Sequence, residues 1–131
     1  MKYVFPAIFT EEENNYFSVN FIDVKNCFTS GLGIEEAIEM AEDALSLMLY
    51  TMEERNEEIP KASNIKDIKV NENEFVSLIT CDTIEYRKMF NNKAVKKTLT
   101  IPAWLNDLAE KKEINFSAVL QNALKQQLNI I

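Results

Sequence analysis

The stretch from Val95 to Ile131 constrains this chain most, because it is patterned like folded protein yet is too short to make a core. In Val95-Lys96-Lys97-Thr98-Leu99-Thr100-Ile101, Leu99 and Ile101 alternate with Lys96, Thr98 and Thr100. That period of two predicts a strand with one wet face. Pro102 ends the strand and suits the first turn of a helix, and Trp104, Leu105, Leu108 and Ala109 then fall on one helical face. After a turn at Ile114-Asn115, Asn115 is placed to cap a second helix whose Phe116, Val119, Leu120, Ala123, Leu124 and Leu128 recur at three and four. A strand and two short helices leave too much surface wet to stand alone. The unit needs a twin.

The run Lys97-Thr98-Leu99-Thr100-Ile101-Pro102 followed by two amphipathic helices resembles the ribbon-helix-helix DNA-binding domain. In that fold two chains pair their strands antiparallel and interlock their helices. The resemblance implies a homodimer whose core holds Leu99, Ile101, Trp104, Val119 and Leu120. It also implies that Lys96, Thr98 and Thr100 face base edges in the major groove of operator DNA. The amides of Asn115, Phe116 and Ser117, at the opening of the second helix, would hold a backbone phosphate. By pattern alone, the same residues also suit a solvated sheet face over ordinary core helices.

Charge separates this tail from the rest. Residues 1 to 90 carry 8 Lys+Arg against 18 Asp+Glu, whereas residues 91 to 131 carry 6 against 3. An acidic body repels nucleic acid but attracts a basic protein. A basic tail suits phosphates, and a dimer doubles its charge. Acidic residues also serve solubility alone. The chain has no histidine, which removes the commonest general base and any Ser-His or Cys-His pairing. Cys27 and Cys81 make neither a zinc site nor a disulfide framework, and buried, reduced thiols are expected. No membrane span and no signal peptide are expected, so the chain is placed in the cytoplasm.

In the body, Lys2 to Thr10 reads as a strand apolar on both faces, with Pro6 marking an edge or a bend. A charged loop, Glu11 to Asn15, leads to a second strand over Tyr16–Phe21, and Cys27–Ser30 reads as a third that Gly31-Leu32-Gly33 breaks. From Ile34 to Glu54 apolar residues repeat at helical spacing (Ala37/Ile38, Ala41, Ala44/Leu45, Met48, Met52), with Glu35, Glu36, Glu39, Glu42 and Asp43 on the outer face. A polar connection from Asn56 to Asn73 precedes a strand over Phe75–Cys81, and Asp82 to Lys93 reads as linker.

Tyr3 to Phe9, Tyr16-Phe17-Ser18-Val19, Phe21-Ile22-Asp23-Val24, Cys27-Phe28-Thr29-Ser30-Gly31, Glu35-Glu36-Ala37, Ala41, Ala44-Leu45 and Ile59-Pro60-Lys61-Ala62-Ser63 together resemble the HicB antitoxin family. With the tail, the resemblance covers nearly the whole chain; it departs at Asn26, where a glycine is common. It implies an α+β chain: a truncated RNase H-like β-β-β-α-β domain over residues 1–82, a linker over 83–94, and a ribbon-helix-helix (β-α-α) domain over 95–131. It further implies an antitoxin that masks a HicA-like toxin, a small basic mRNA-cleaving ribonuclease using a histidine, and represses its own operon through the tail. No catalysis, cofactor or metal is expected: Asp23 is the only acid near the strand pattern, where two-metal chemistry needs several. A tetramer built through the bodies would span two half-sites. The alternative is a stand-alone ribbon-helix-helix regulator whose N-terminal domain senses a small ligand, and with only Gly31 and Gly33 no phosphate cradle supports it.

Overall fold

A computed structural model describes residues 1–130, which form two compact units, 1–93 and 94–130. The first contains strands β1 (Lys2–Glu11), β2 (Tyr16–Asn20) and β3 (Phe28–Leu32), helix α1 (Gly33–Glu54), strand β4 (Glu74–Asp82) and helix α2 (Thr83–Phe90). The second contains helices α3 (Ala103–Lys111) and α4 (Phe116–Gln127).

The strands form one antiparallel sheet in the order β3-β2-β1-β4. Phe5, Ala7 and Phe9 of β1, Phe17 and Val19 of β2, and Ile79 and Cys81 of β4 are buried together with Ala37, Ala41, Leu45 and Leu49 of α1. That is the one core among the described residues, and the period of two in the strands meets the period of 3.6 in the helix there. Gly31 lets β3 approach α1: a Cβ at this position would stand 2.5 Å from the Ala37 backbone nitrogen. The strand therefore runs on through Gly31 and Leu32, where the sequence predicted a break. Gly33 takes φ +80°, a left-handed conformation that turns the chain into α1.

Pro6 lies in an inner strand. The bonds Glu11 N–H to Asn73 O and Thr83 N–H to Met1 O, both 2.9 Å, show that odd-numbered residues of β1 point their backbone groups at β4. Pro6 therefore points toward β2, whose pairing with β1 begins only at Ile8. Its missing N–H faces no strand, so β1 is locally an edge there.

Two further sequence expectations are corrected. The stretch Asp82 to Lys93, read as linker, is mostly helix: Asp82 accepts the Ile84 N–H at 2.9 Å and α2 follows. The run Val95 to Ile101 is not a strand in the single chain. A lone strand has no partner for its backbone groups, so the alternation of Leu99 and Ile101 has nothing to register against.

Candidate partner and nucleic-acid interfaces

The outer face of α1 carries exposed Glu35, Glu36, Glu39, Glu42 and Asp43, interleaved with exposed Met40 and Leu47. Glu36 reaches back to the backbone N–H of Leu32 and closes the helix start. The others make no ion pair among the described residues. The first unit thus presents a ridge of carboxylates without ion-pair partners among the described residues, with the exposed apolar side chains of Met40 and Leu47 between them.

Behind the C-terminal end of α1 lies a polar junction that spacing did not reveal. Glu53 accepts hydrogen bonds from Tyr3 Oη (2.7 Å), Thr83 Oγ1 (3.0 Å) and Arg87 Nη2 (3.0 Å). Arg87 also pairs with Glu54, and its guanidinium lies 4.7 Å from the centroid of the Tyr50 ring. The Tyr50 and Tyr86 rings pack tilted at 5.3 Å, fastening α2 to α1, and Phe90 packs on Tyr86 at 4.6 Å within α2. Burial and the hydrogen bond to Glu53 push the Tyr3 phenol up to about 12. Burial raises the Glu53 carboxyl, but its three donors outweigh that and hold it below the ordinary value. A signal for α2 was present in Asp82-Thr83-Ile84-Glu85, an N-cap residue followed three positions later by Glu.

Asp23, the acid nearest the strands, is occupied by structure. Its carboxylate accepts the Ser63 N–H at 2.9 Å and the Ser63 hydroxyl, pinning the long connection to the β2–β3 loop. Among the described residues no group of three His, Cys, Asp or Glu is gathered to hold a metal. Cys27 and Cys81 are free and buried, and burial pushes both thiols up to about 11.

In the second unit, Lys96, Thr98 and Thr100 are all exposed. Asn115 caps α4 through Oδ1, which accepts the Ala118 N–H at 3.0 Å, and Phe116 and Ser117 open the helix. The residues read as a dimer core are bare in the single chain: Leu99 is 59% exposed, Ile101 48%, Trp104 65% and Val119 55%. Leu120 is half-buried. Trp104, an expected core residue, thus lies open to solvent until something covers it. Leu105, Leu108, Phe116 and Leu124 are also exposed, and no described residue of the unit is buried.

Comparison with known proteins gives a consistent picture. A family model described as a HicB-like antitoxin of bacterial toxin-antitoxin systems matches residues 5–123. An uncharacterized 14.9 kDa protein from the rep-hol intergenic region of Haemophilus phage HP1 is 31% identical over 96 residues, which is 72% of this chain and 71% of that one. Among solved structures, a chain of a toxin-antitoxin complex from Streptococcus pneumoniae is 27% identical with a TM-score of 0.64, covering 97% of this chain and 99% of that chain. The Burkholderia pseudomallei antitoxin HicB, at 16% identity and TM-score 0.55 over 96% of this chain and 98% of that one, is similar in fold alone.

Proposed function

The chain belongs to the HicB-like antitoxin family of bacterial toxin-antitoxin systems, and from that premise we propose that it masks a HicA-like mRNA-cleaving toxin and represses its own operon. The first unit, read as a truncated RNase H-like domain, covers the active site of the basic ribonuclease by competition and performs no chemistry itself. Its acidic surface speeds encounter. The second unit pairs with that of another copy as a ribbon-helix-helix domain. There Lys96, Thr98 and Thr100 meet base edges, and the start of α4 at Asn115, Phe116 and Ser117 holds a phosphate.

The observation that carries this reading is the contrast between the units. The first has its own core, whereas the second leaves Leu99, Ile101, Trp104 and Val119 exposed and fully buries none of its described residues. Apolar surface on that scale in a 38-residue unit calls for a second copy. The paired strands of such a dimer would supply the hydrogen-bond partners that Val95 to Ile101 lacks in the single chain.

Co-expression with the short basic reading frame adjacent to this one tests the proposal, scoring growth with the full chain, residues 1–93 and residues 94–131. Rescue by the full chain and by residues 1–93 supports a separable antitoxin body. Failure of the full chain to rescue growth refutes the antitoxin mechanism.

A further inference from the structure

The outer edge of β4 leaves backbone groups unpaired, although the short 3-10 turn Ile65–Asp67 packs against the strand. It begins and ends on acids, Glu74 and Asp82, and the seven residues between, Phe75-Val76-Ser77-Leu78-Ile79-Thr80-Cys81, carry no charge, proline or glycine. Pairing with β1 runs one to one from Lys2 opposite Asp82 to Thr10 opposite Glu74, without a bulge. Folded proteins ordinarily guard such an edge with lysine, proline, a bulge or a covering segment, because its open backbone groups recruit other strands.

The register identifies those groups. Odd residues of β1 point at β4, so Phe75, Ser77, Ile79 and Cys81 point back at β1, and Val76, Leu78 and Thr80 point their N–H and C=O outward. Among the described residues none of these outward groups has a hydrogen-bond partner, whereas the Glu74 N–H is already taken by Asn71. Leu78 is 53% exposed. The opposite edge, β3, offers less, since by the same alternation only Phe28, Ser30 and Leu32 point outward and the Leu32 N–H is held by Glu36.

We infer that the β4 edge accepts an extended strand of the basic toxin partner, with an uncharged middle and basic flanks, rather than a second copy of this chain. Charge decides between the two. Antiparallel self-pairing that uses Val76, Leu78 and Thr80 together centres on Leu78 and sets Glu74 opposite Asp82 at both ends, where the Met1 ammonium, 3.8 Å from the Asp82 carboxylate, offsets only part of the repulsion. Like charges directly opposite destabilise a sheet, whereas lysine or arginine at those places stabilises it. Main-chain bonds would supply affinity and the acidic ends would set register. This inference rests on the antitoxin reading above.

Amide hydrogen exchange on the full chain, with and without the adjacent-frame toxin carrying an inactivating histidine substitution, tests it. In the free chain Ser77, Ile79 and Cys81 should be protected, while Val76, Leu78 and Thr80 exchange freely. Saturating toxin should slow the latter three at least tenfold. Protection of these three in the free chain that grows with concentration would mean self-pairing and overturn the inference. Toxin binding without any slowing would overturn it too, leaving the antitoxin reading intact, whereas absence of toxin binding would sink both. Leu78→Pro removes one outward N–H and no bond to β1. It should weaken toxin binding at least tenfold, and Leu78→Ala, which keeps the N–H, should weaken it far less. If Leu78→Pro fails to fold, the exchange measurement on the native chain decides.

Discussion

Removing the Leu99 side chain is the sharpest test of the second unit. Leu99 is 59% exposed in the single chain, so that fraction of its surface is available to be covered by a twin. Leu99→Ala deletes three carbons, each worth about 0.8 kcal/mol when fully buried. Scaled by the exposed fraction, the loss is about 1.4 kcal/mol per chain, or roughly 3 kcal/mol for a symmetric pair. The dimer dissociation constant should rise about 100-fold. Trp104, the only tryptophan and itself 65% exposed in one chain, provides the readout. On dilution of the native protein its emission should move to longer wavelength as the pair separates, in step with the mass seen by sedimentation. Leu99→Ala should shift that transition to concentrations about 100-fold higher. A native chain that sediments as a monomer at tens of micromolar, with solvent-like emission that dilution does not change, would refute the reasoning.

Other outcomes follow from the remaining contacts. Thr98→Ala with Thr100→Ala should weaken operator binding in a mobility-shift assay while toxin neutralisation stays intact; normal operator binding would show that the outward face of the ribbon is misassigned. Arg87→Met should destabilise the first unit by about 1–3 kcal/mol in urea melts at neutral pH. Glu53 has a depressed folded pKa, so its contribution is full above the unfolded value of about 4.3 and is lost as pH falls through the folded one. The gap between native and Arg87→Met chains should therefore narrow in acid, and a gap independent of pH would separate Arg87 from Glu53. Tyr3 behaves in the opposite sense. With its phenol raised to about 12, the stability it gives is present below the unfolded value of about 10 and is lost as pH rises between the two. Melting temperature should fall over that interval, and less so in Tyr3→Phe. Asp23→Asn should loosen the long connection at Ser63, read as faster exchange there, and the native chain should show no divalent-dependent RNA cleavage.

The sequence alone determined the elements whose residues repeat at a fixed period. Alternation in β2 and the three-and-four spacing of Ala37, Ala41 and Leu45 specify which face is apolar, and each finds its partner face within the same chain, whereas β1 read as apolar on both faces and only the fold put Phe5, Ala7 and Phe9 in the core. Asn115 was equally legible, because an N-cap acts on an amide three residues away. So was the separation of acidic body from basic tail, which is a property of composition. What only the tertiary structure decided depends on residues far apart in sequence. Glu53 receives Tyr3 and Arg87 because β1, α1 and α2 converge, and no local pattern encodes that meeting. Asp23 holds Ser63 across 40 positions for the same reason. The outward amides of Val76, Leu78 and Thr80 exist only because β4 pairs on one side and in one register. Val95 to Ile101 marks the boundary between the two kinds of information: its period was plain in the sequence, but a strand is a relation between two backbones and a single chain supplies only one.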